Sequence, residues 1–275
     1  MIEKRLFAGI ILTFACGFVM FFLYNRAIYY EEKVTLQKQM DSWLMILDNK
    51  LNEVSDIALS SSLMLSKNSY IIDCLSQNDK TICSDYLMEI KKIMQDNDVF
   101  ENMGVHLHTS DYKSFVRLWD YENRAQENLR GFRHSLEKVK NTKKAVQGVE
   151  IGHNGVLTRA IVPIYRQDKY IGSIETVVFP ERYTEFFKDL NIDFYILMDN
   201  KYLEIVNAKN YSENLTLKNY TIVNQNTNGL DFIKDMKFSC TGYLKYGNKY
   251  LLHVPIIDIN KNNIGYYVLI WNEGY

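Results

Sequence analysis

The sequence predicts an α+β fold behind an N-terminal transmembrane helix and a long stalk helix. Three observations lead to this prediction: an uncharged apolar run at 6–24, a helical stretch with an apolar period of 3.5 residues at 40–65, and two later blocks of strand-like alternation. Because the strands of each block follow one another without alternating helices, the blocks indicate antiparallel sheets. The predicted boundaries are 1–5 for a cytoplasmic tail, 6–24 for the membrane helix, 25–70 for the long helix, and 71–180 and 181–275 for two mixed modules.

The apolar run LFAGIILTFACGFVMFFLY predicts a membrane anchor. Its length matches one helical crossing of a hydrocarbon core about 30 Å thick. Lys4 and Arg5 precede it, and the positive-inside rule therefore favours a cytoplasmic N-terminus with the bulk of the chain outside. No small-residue cleavage site closes the run, so an uncleaved anchor is favoured over a cleaved signal peptide. The predicted location is the cytoplasmic membrane, single-pass, with a periplasmic or extracellular main part.

Charge and cysteine content narrow the possible classes of protein. A net charge of −1 provides no overall basic field to attract nucleic acid, so we predict no nucleic-acid partner. Four cysteines are too few for a disulfide scaffold. Cys74 and Cys83 could form a disulfide in an oxidising compartment or remain two buried thiols. Cys16 lies inside the apolar run, and Cys240 would stay unpaired.

The long helix has an apolar stripe with two interpretations. No proline or glycine interrupts residues 27–65, and a helix of that length would extend about 50–60 Å. The stripe is interpreted as the face that packs along the helix's own domain, as a dimer seam that carries motion toward the membrane, or as both, since the two interpretations are compatible. Its members are Met40, Leu44, Leu47, Leu51, Val54, Ala58, Ser61 and Leu65.

Three strands are predicted at about 145–152, 156–166 and 170–178, with a tight hairpin between the first two. Asn-Gly is a strong signal for a two-residue hairpin turn, so we expect Asn154 and Gly155 to form the loop. That register sets Glu150 directly opposite Arg159 on one face of the sheet.

Further charged and aromatic residues are candidates for the same face. The alternation of a preceding strand predicts Arg117 between Phe115 and Trp119. The face of Glu175 depends on the loop at 166–170, which precedes its strand. Glu175 lies on the Glu150 face if this loop has three residues, and on the other face if the loop has two. Such a face is either a small polar pocket, in which arginines grip a carboxylate and glutamates hold an ammonium or hydroxyl group, or a solvated sheet face with cross-strand ion pairs.

His106 and His108 share a strand face, as two ligands of a metal ion do. No third ligand is evident near them in the sequence, so we predict neither a metal nor another cofactor. The chain contains no catalytic or nucleotide-binding motif, and we therefore predict that it is not an enzyme.

Residues 104–180 resemble a known family. The run from GVHLHTSDYKSFVRLW through GFRHSL and NTKKAVQGVEIGHNGVLTRAIVPIY to YIGSIE is similar to the membrane-distal module of a double Cache sensor. The type it most resembles is the double sensory domain of bacterial two-component kinases and chemoreceptors. The matching positions are His106, His108, Ser114, Phe115, Arg117, Phe132, Arg133, Thr142, Lys143, Gly148, Glu150, Gly152, Gly155, Arg159, Pro163, Gly172, Ser173 and Glu175.

The resemblance implies two tandem PAS-like Cache modules, with 71–180 membrane-distal and 181–275 membrane-proximal, in a periplasmic homodimer that signals through the long helix. It also implies a small-molecule site in the distal module. The implied ligand-binding residues are Arg117, Arg133, Glu150, Arg159 and Glu175, with Trp119 and His108 as lining.

Two departures from the family pattern stand out. Where relatives have a Gly-Asp-Asp-Leu-like loop, this chain has Arg124–Leu129, which predicts a different ligand. Relatives also continue into a second membrane helix and a cytoplasmic output domain, whereas this chain stops at Tyr275. We expect a fragment, a truncated gene product, or a sensor that works through a partner.

The expected function is small-molecule sensing outside the cytoplasm for a bacterial receptor of chemoreceptor, histidine kinase or diguanylate cyclase type. The expected ligand is a small carboxylate or an amino-acid-like compound. One alternative is a membrane-tethered adaptor with a degenerate pocket. A second alternative is an anchored hydrolase or metalloenzyme that uses His106 and His108.

Overall fold

A computed structural model describes residues 2–96, 100–119, 127–206, 215–224, 226 and 230–272. The chain divides into two units, Met1–Asn49 and Lys50–Tyr275. The first unit belongs to a long helix, and the second contains both predicted sheets. The module boundaries at 71–180 and 181–275 stay predictions.

Three helices open the chain: α1 (Ile2–Ser66), α2 (Ser69–Gln77) and α3 (Lys80–Gln95). The predicted long helix is therefore present. Asn68 caps α2 by accepting hydrogen bonds from two backbone N–H groups, and Asp79 caps α3 by accepting one. Such caps satisfy N–H groups that a helix start leaves without partners.

The part of α1 that belongs to the second unit buries a stripe spaced by four residues. Val54 and Ala58 are 1% and 0% exposed, and Ser62 and Ser66 continue the stripe. The predicted seam instead contained Ser61, which is only partly buried. Because Val54 and Ala58 are already covered within their own chain, the packed-helix interpretation holds for this part of α1.

The first sheet contains β1 (Met103–Thr109), β2 (Ser114–Arg117), β3 (Val146–Gly152), β4 (Gly155–Arg166) and β5 (Lys169–Val178). All neighbouring strands are antiparallel, in the order β2-β1-β5-β4-β3. Helix α4 (His134–Thr142) lies between β2 and β3 in sequence.

The two faces of the first sheet differ in character. One face packs its apolar residues, among them Leu107 and Ile174, with residues of α2 and α3. Cys74 and Cys83 form a disulfide within this core, with their Cα atoms 5.4 Å apart. The other face carries Ile161, which packs with Leu136 of α4. The charged residues of the candidate site lie on this second face.

The second sheet follows α5 (Glu181–Asp189) and has the order β7-β6-β10-β9-β8. Its strands are β6 (Asp193–Asp199), β7 (Tyr220–Ile222), β8 (Gly242–Tyr246), β9 (Lys249–Ile257) and β10 (Asn263–Asn272), with a short helix α6 (Leu230–Ile233) before β8. Two five-stranded antiparallel sheets confirm the predicted α+β fold. The sequences FYILMD (194–199) and LEIVNA (203–208) predict a hairpin, but the described residues 203–206 form no strand, and 207–208 lie outside the described residues.

The predicted membrane span at 6–24 falls within α1. Among the residues that the structure describes, no helix combines the length and the apolarity that a crossing needs. The side chains of residues 2–12 are not among those described. The single-pass topology stays a prediction from the sequence.

Candidate ligand-binding site

The β3–β4 hairpin turns one residue earlier than the sequence suggested. Gly152 pairs with Gly155, so the loop consists of His153 and Asn154. Gly155 has φ = 87°, a conformation that glycine adopts without the steric cost of a Cβ. The expected direct opposition of Glu150 and Arg159 is therefore wrong.

The two charged residues nevertheless share a face. Glu150 pairs with Leu157, and Arg159 pairs with Gly148. Moving the turn by one residue changes each pairing by two positions, and alternate residues of a strand point to the same side. Glu150 and Arg159 therefore lie on a common face, as predicted, although the predicted register is wrong.

Glu175 reaches this face because of a β-bulge. The β4–β5 loop is the two-residue turn Gln167-Asp168, with φ of 45° and 64°. A regular hairpin with this turn would place Glu175 on the opposite face from Arg159. The register shifts between Ile164 and Tyr165, and this shift leaves Ile171 without a paired residue. Glu175 therefore lies on the same face as Arg159.

A buried cluster of two arginines and two glutamates forms there. Arg133, which precedes α4, donates from Nε to Glu150 Oε2 at 2.8 Å and from Nη2 to Glu175 Oε1 at 2.6 Å. Arg159 donates from Nη1 to Glu175 Oε1 at 2.7 Å. None of the four side chains is more than 5% exposed. Their formal charges cancel, which is the condition under which buried charges are tolerated.

Helix α4 contributes a second anchor for Glu150. The backbone N–H of Ser135 donates to Glu150 Oε1 at 3.0 Å, and the Ser135 hydroxyl donates to Oε2. A carboxylate at a helix N-terminus also meets the positive end of the helix dipole. Sequence reasoning missed Ser135; its place two residues after Arg133 was the available signal.

The charges in the cluster control the pKa of Glu175. Burial alone would raise this pKa, but Arg133 and Arg159 outweigh burial and hold the pKa well below its usual range. The pKa of Arg133 is raised: burial opposes the charged form, while Glu175 and Glu150 favour it more strongly. The Glu175 carboxylate and the Arg133 guanidinium are therefore charged at neutral pH.

Two histidines complete the floor of the site. In the strand register, His106 of β1 lies opposite Glu175 of β5 on one side and opposite Arg117 of β2 on the other. His108 lies opposite Ser173 of β5. Burial lowers the pKa of both imidazoles, and the nearby Glu175 only partly offsets this effect. Both rings are thus neutral at pH 7.

A cavity of about 30 Å³ opens beside the cluster. Arg117 at its rim donates to Glu127 Oε2 at 2.6 Å, and its guanidinium lies 5.8 Å from the Trp119 ring. A Cβ built on Gly152 would come within 2.6 Å of Arg159 Nη2, so a glycine there makes room for the guanidinium. The described lining residues are His106, Arg117, Trp119, Glu127, Leu129, Phe132, Arg133, Gly152, His153, Asn154 and Arg159.

The structure brings the seven sequence-predicted ligand-site residues to one region. The buried cluster contains or contacts five of them: Arg133, Glu150, Arg159, Glu175 and His108. The other two, Arg117 and Trp119, lie at the cavity rim. Phe115 was expected beside Arg117 but belongs to the apolar core on the opposite face, because β1 and β2 shift register between Leu107 and His108. In the divergent loop, 124–126 lie outside the described residues, and Glu127 was not predicted as a site residue.

Comparisons with known proteins agree with this architecture. A family model described as "Double sensory domain of two-component sensor kinase" matches residues 33–272. No curated protein matches the chain.

Solved structures are similar to the chain at low sequence identity. The extracellular domain of vpHK1S-Z8, described as a histidine kinase, is 12% identical, with 87% of this chain and 93% of that chain covered and a TM-score of 0.51. The sensor domain of the histidine kinase DctB from V. cholerae is also 12% identical, with 84% and 98% covered and a TM-score of 0.44. The likeness to vpHK1S-Z8 concerns the fold alone, because the sequence identity is low.

Proposed function

Since the chain belongs to the double sensory domain family of two-component sensor kinases, we propose that it is the extracytoplasmic ligand-sensing region of a bacterial signal-transduction receptor. Its ligand is a small carboxylate or an amino-acid-like compound, bound in the cavity of the first sheet. The family description favours a histidine kinase over a chemoreceptor or a diguanylate cyclase as the receptor type.

One observation carries the ligand assignment. Arg159 Nε is buried and has no hydrogen-bond partner among the described residues, although Nη1 of the same guanidinium binds Glu175. A buried donor without a partner costs about 1–3 kcal/mol. Arg159 lines the cavity, so an anionic ligand there can supply the missing acceptor.

The cavity offers complementary groups for both ends of an amino-acid-like ligand. Arg117 and Arg159 both line it, and guanidinium groups bind carboxylates through paired, charge-assisted hydrogen bonds. Among the described residues that line the cavity, Glu127 carries a carboxylate that an ammonium group can approach. Trp119 and Phe132 supply flat apolar walls.

Signalling follows from a shift between conformations that bind the ligand unequally. A ligand that draws Arg117 and Arg159 together favours a tighter first sheet, and α1 packs on that sheet through Ser62. The shift then moves or rotates α1 relative to a second copy in a homodimer. Because Val54 and Ala58 are buried within their own chain, the dimer contact uses the exposed side of α1, where Leu63 and Met64 lie.

The proposed location is the cytoplasmic membrane, with one N-terminal span and the two sheets outside. Large apolar side chains in the first unit support this anchor: Phe14 is 76% exposed and Met20 is 72% exposed. Such side chains are stable in contact with lipid and unfavourable in water.

A ligand screen by thermal unfolding tests the function. The 275-residue chain, purified in detergent, is screened with small carboxylates, amino acids and amines, each at a saturating concentration. A ligand present at 100 times its Kd adds about 2.7 kcal/mol of stability. We expect a hit whose effect is lost in Arg159→Lys, which keeps the positive charge but not the planar donor pair, and in Arg117→Ala.

Arg166→Ala is the matched control, because Arg166 lies on the same strand but is exposed and paired with Asp73. It should respond to the ligand as the parent does. A hit that persists in both site variants places the ligand elsewhere. No hit with folded protein favours the adaptor function with a degenerate pocket. The proposal contains no catalytic step.

A further inference from the structure

Three ligand-type atoms converge on the buried face of the first sheet. His106 Nδ1 and His108 Nε2 are 3.0 Å apart, and Glu175 Oε2 lies 3.4 Å from the first and 3.2 Å from the second. All three side chains are buried, none being more than 1% exposed. Sequence reasoning considered the two histidines as a metal pair and found no third ligand; β5 supplies it.

These separations match one face of a metal coordination tetrahedron. Bonds of about 2.0–2.1 Å at the tetrahedral angle place neighbouring ligand atoms about 3.3 Å apart. We propose that His106, His108 and Glu175 form a binding site for a divalent transition-metal ion of the zinc class. The site shares His106 with the lining of the carboxylate cavity, but the metal proposal does not depend on the proposed function.

The outer contacts of both rings orient their lone pairs toward the centre of the site. His106 Nε2 lies 2.8 Å from the Ser114 hydroxyl, and His108 Nδ1 lies 3.1 Å from the Ser173 hydroxyl. When these outer nitrogens carry the ring protons, the inner nitrogens face each other as acceptors. Hydrogen bonds of this kind hold metal-binding histidines in the required tautomer.

Glu175 Oε2 provides an independent observation. Among the described residues, the nearest polar neighbours of this buried oxygen are the two inner ring nitrogens, at 3.2 and 3.4 Å, and neither makes a hydrogen bond of regular geometry to it. Oε1 of the same carboxylate, in contrast, accepts from Arg133 and Arg159. Two inner ring nitrogens and one unpartnered carboxylate oxygen within 3.4 Å repel one another unless a proton or a cation lies between them. A metal ion satisfies all three atoms at once.

The ligand set and the charge balance select the kind of ion. Two imidazoles with one carboxylate suit zinc and neighbouring d-block metals, whereas magnesium and calcium prefer oxygen ligands. Arg133 and Arg159 balance Glu150 and Glu175, so the ion adds two positive charges. An anionic donor at the remaining coordination position, such as hydroxide, offsets part of this charge.

Direct metal binding tests the site. The 275-residue chain is purified in detergent without a histidine tag, stripped with a chelator, and titrated with Zn²⁺ or Co²⁺. We expect about one bound ion per chain, the visible spectrum of four-coordinate cobalt, and nitrogen or oxygen neighbours at about 2.0–2.1 Å by X-ray absorption. His106→Asn and His108→Asn should lose the binding, and Ser173→Ala should weaken it about 10–100-fold.

His134→Asn is the matched control, since His134 is an exposed histidine at the start of α4. It should bind one ion as the parent does. The proposal is overturned when the folded parent chain binds no ion above background, or when both site variants retain the parent's affinity. X-ray absorption on the parent keeps the test decisive even where a variant fails to fold, because it reports the imidazole ligands directly.

Discussion

The hydroxyl of Ser62 on α1 lies 2.8 Å from the hydroxyl of Thr176 on β5. Ser62 donates its hydroxyl proton to the carbonyl of Ala160 on β4 at 2.9 Å, which leaves its oxygen to accept from Thr176. Thr176 follows Glu175 in the sequence, and Ala160 follows Arg159. Because adjacent strand residues point to opposite faces, α1 is hydrogen-bonded to the reverse side of the two strands that carry the buried charges.

This relationship predicts that Ser62→Ala weakens the attachment of α1. Ser62 is fully buried, and leaving its partners without a hydrogen bond costs about 1–3 kcal/mol. We expect that loss in the free energy of unfolding, measured with urea. Ser60→Ala, at an exposed neighbouring serine, should change stability by less than about 0.5 kcal/mol. Equal effects in the two variants would contradict a special role for Ser62.

Glu175→Gln should be severely destabilising. The change leaves Arg133 and Arg159 with one buried carboxylate between them, and breaking a buried ion pair costs about 3–5 kcal/mol. Glu127→Gln removes a partly exposed partner of Arg117 and should cost about 1 kcal/mol or less. Urea unfolding of both variants measures the difference. A Glu175→Gln chain as stable as the parent would show that the cluster is not a charge-balanced unit.

Replacing Cys74 and Cys83 together with serine should lower stability by about 2–3 kcal/mol, since the disulfide closes a short loop with a sequence separation of 9. Thermal unfolding with and without reductant provides the measurement. The parent should lose stability in reductant, and the double variant should not respond. A parent insensitive to complete reduction would argue against a stabilising bond.

The proposed topology can be tested through Cys240, an exposed free cysteine in the second-sheet region. A membrane-impermeant maleimide added to intact spheroplasts should label the chain, because the second sheet is expected outside the cytoplasm. Cys240→Ser should abolish the labelling. Labelling that requires lysis would place this region on the cytoplasmic side and reject the proposed orientation.

Local sequence determined most of the first sheet. The strands predicted at 145–152, 156–166 and 170–178 are observed at Val146–Gly152, Gly155–Arg166 and Lys169–Val178. Alternation of apolar residues and the turn residues between them are short-range signals, and they place strands with little help from tertiary contacts. The shared face of Glu150 and Arg159 followed from the same alternation.

Tertiary structure decided which residues meet. The bulge at Ile171 determines the face of Glu175, and a one-residue change of register in a strand moves every side chain to the other face. The convergence of His106, His108 and Glu175 depends on the pairing of β1 with β5. These strands are distant in sequence, and their neighbourhood arises only when the whole sheet assembles, because strand order is set by packing across the entire module and not by any local pattern.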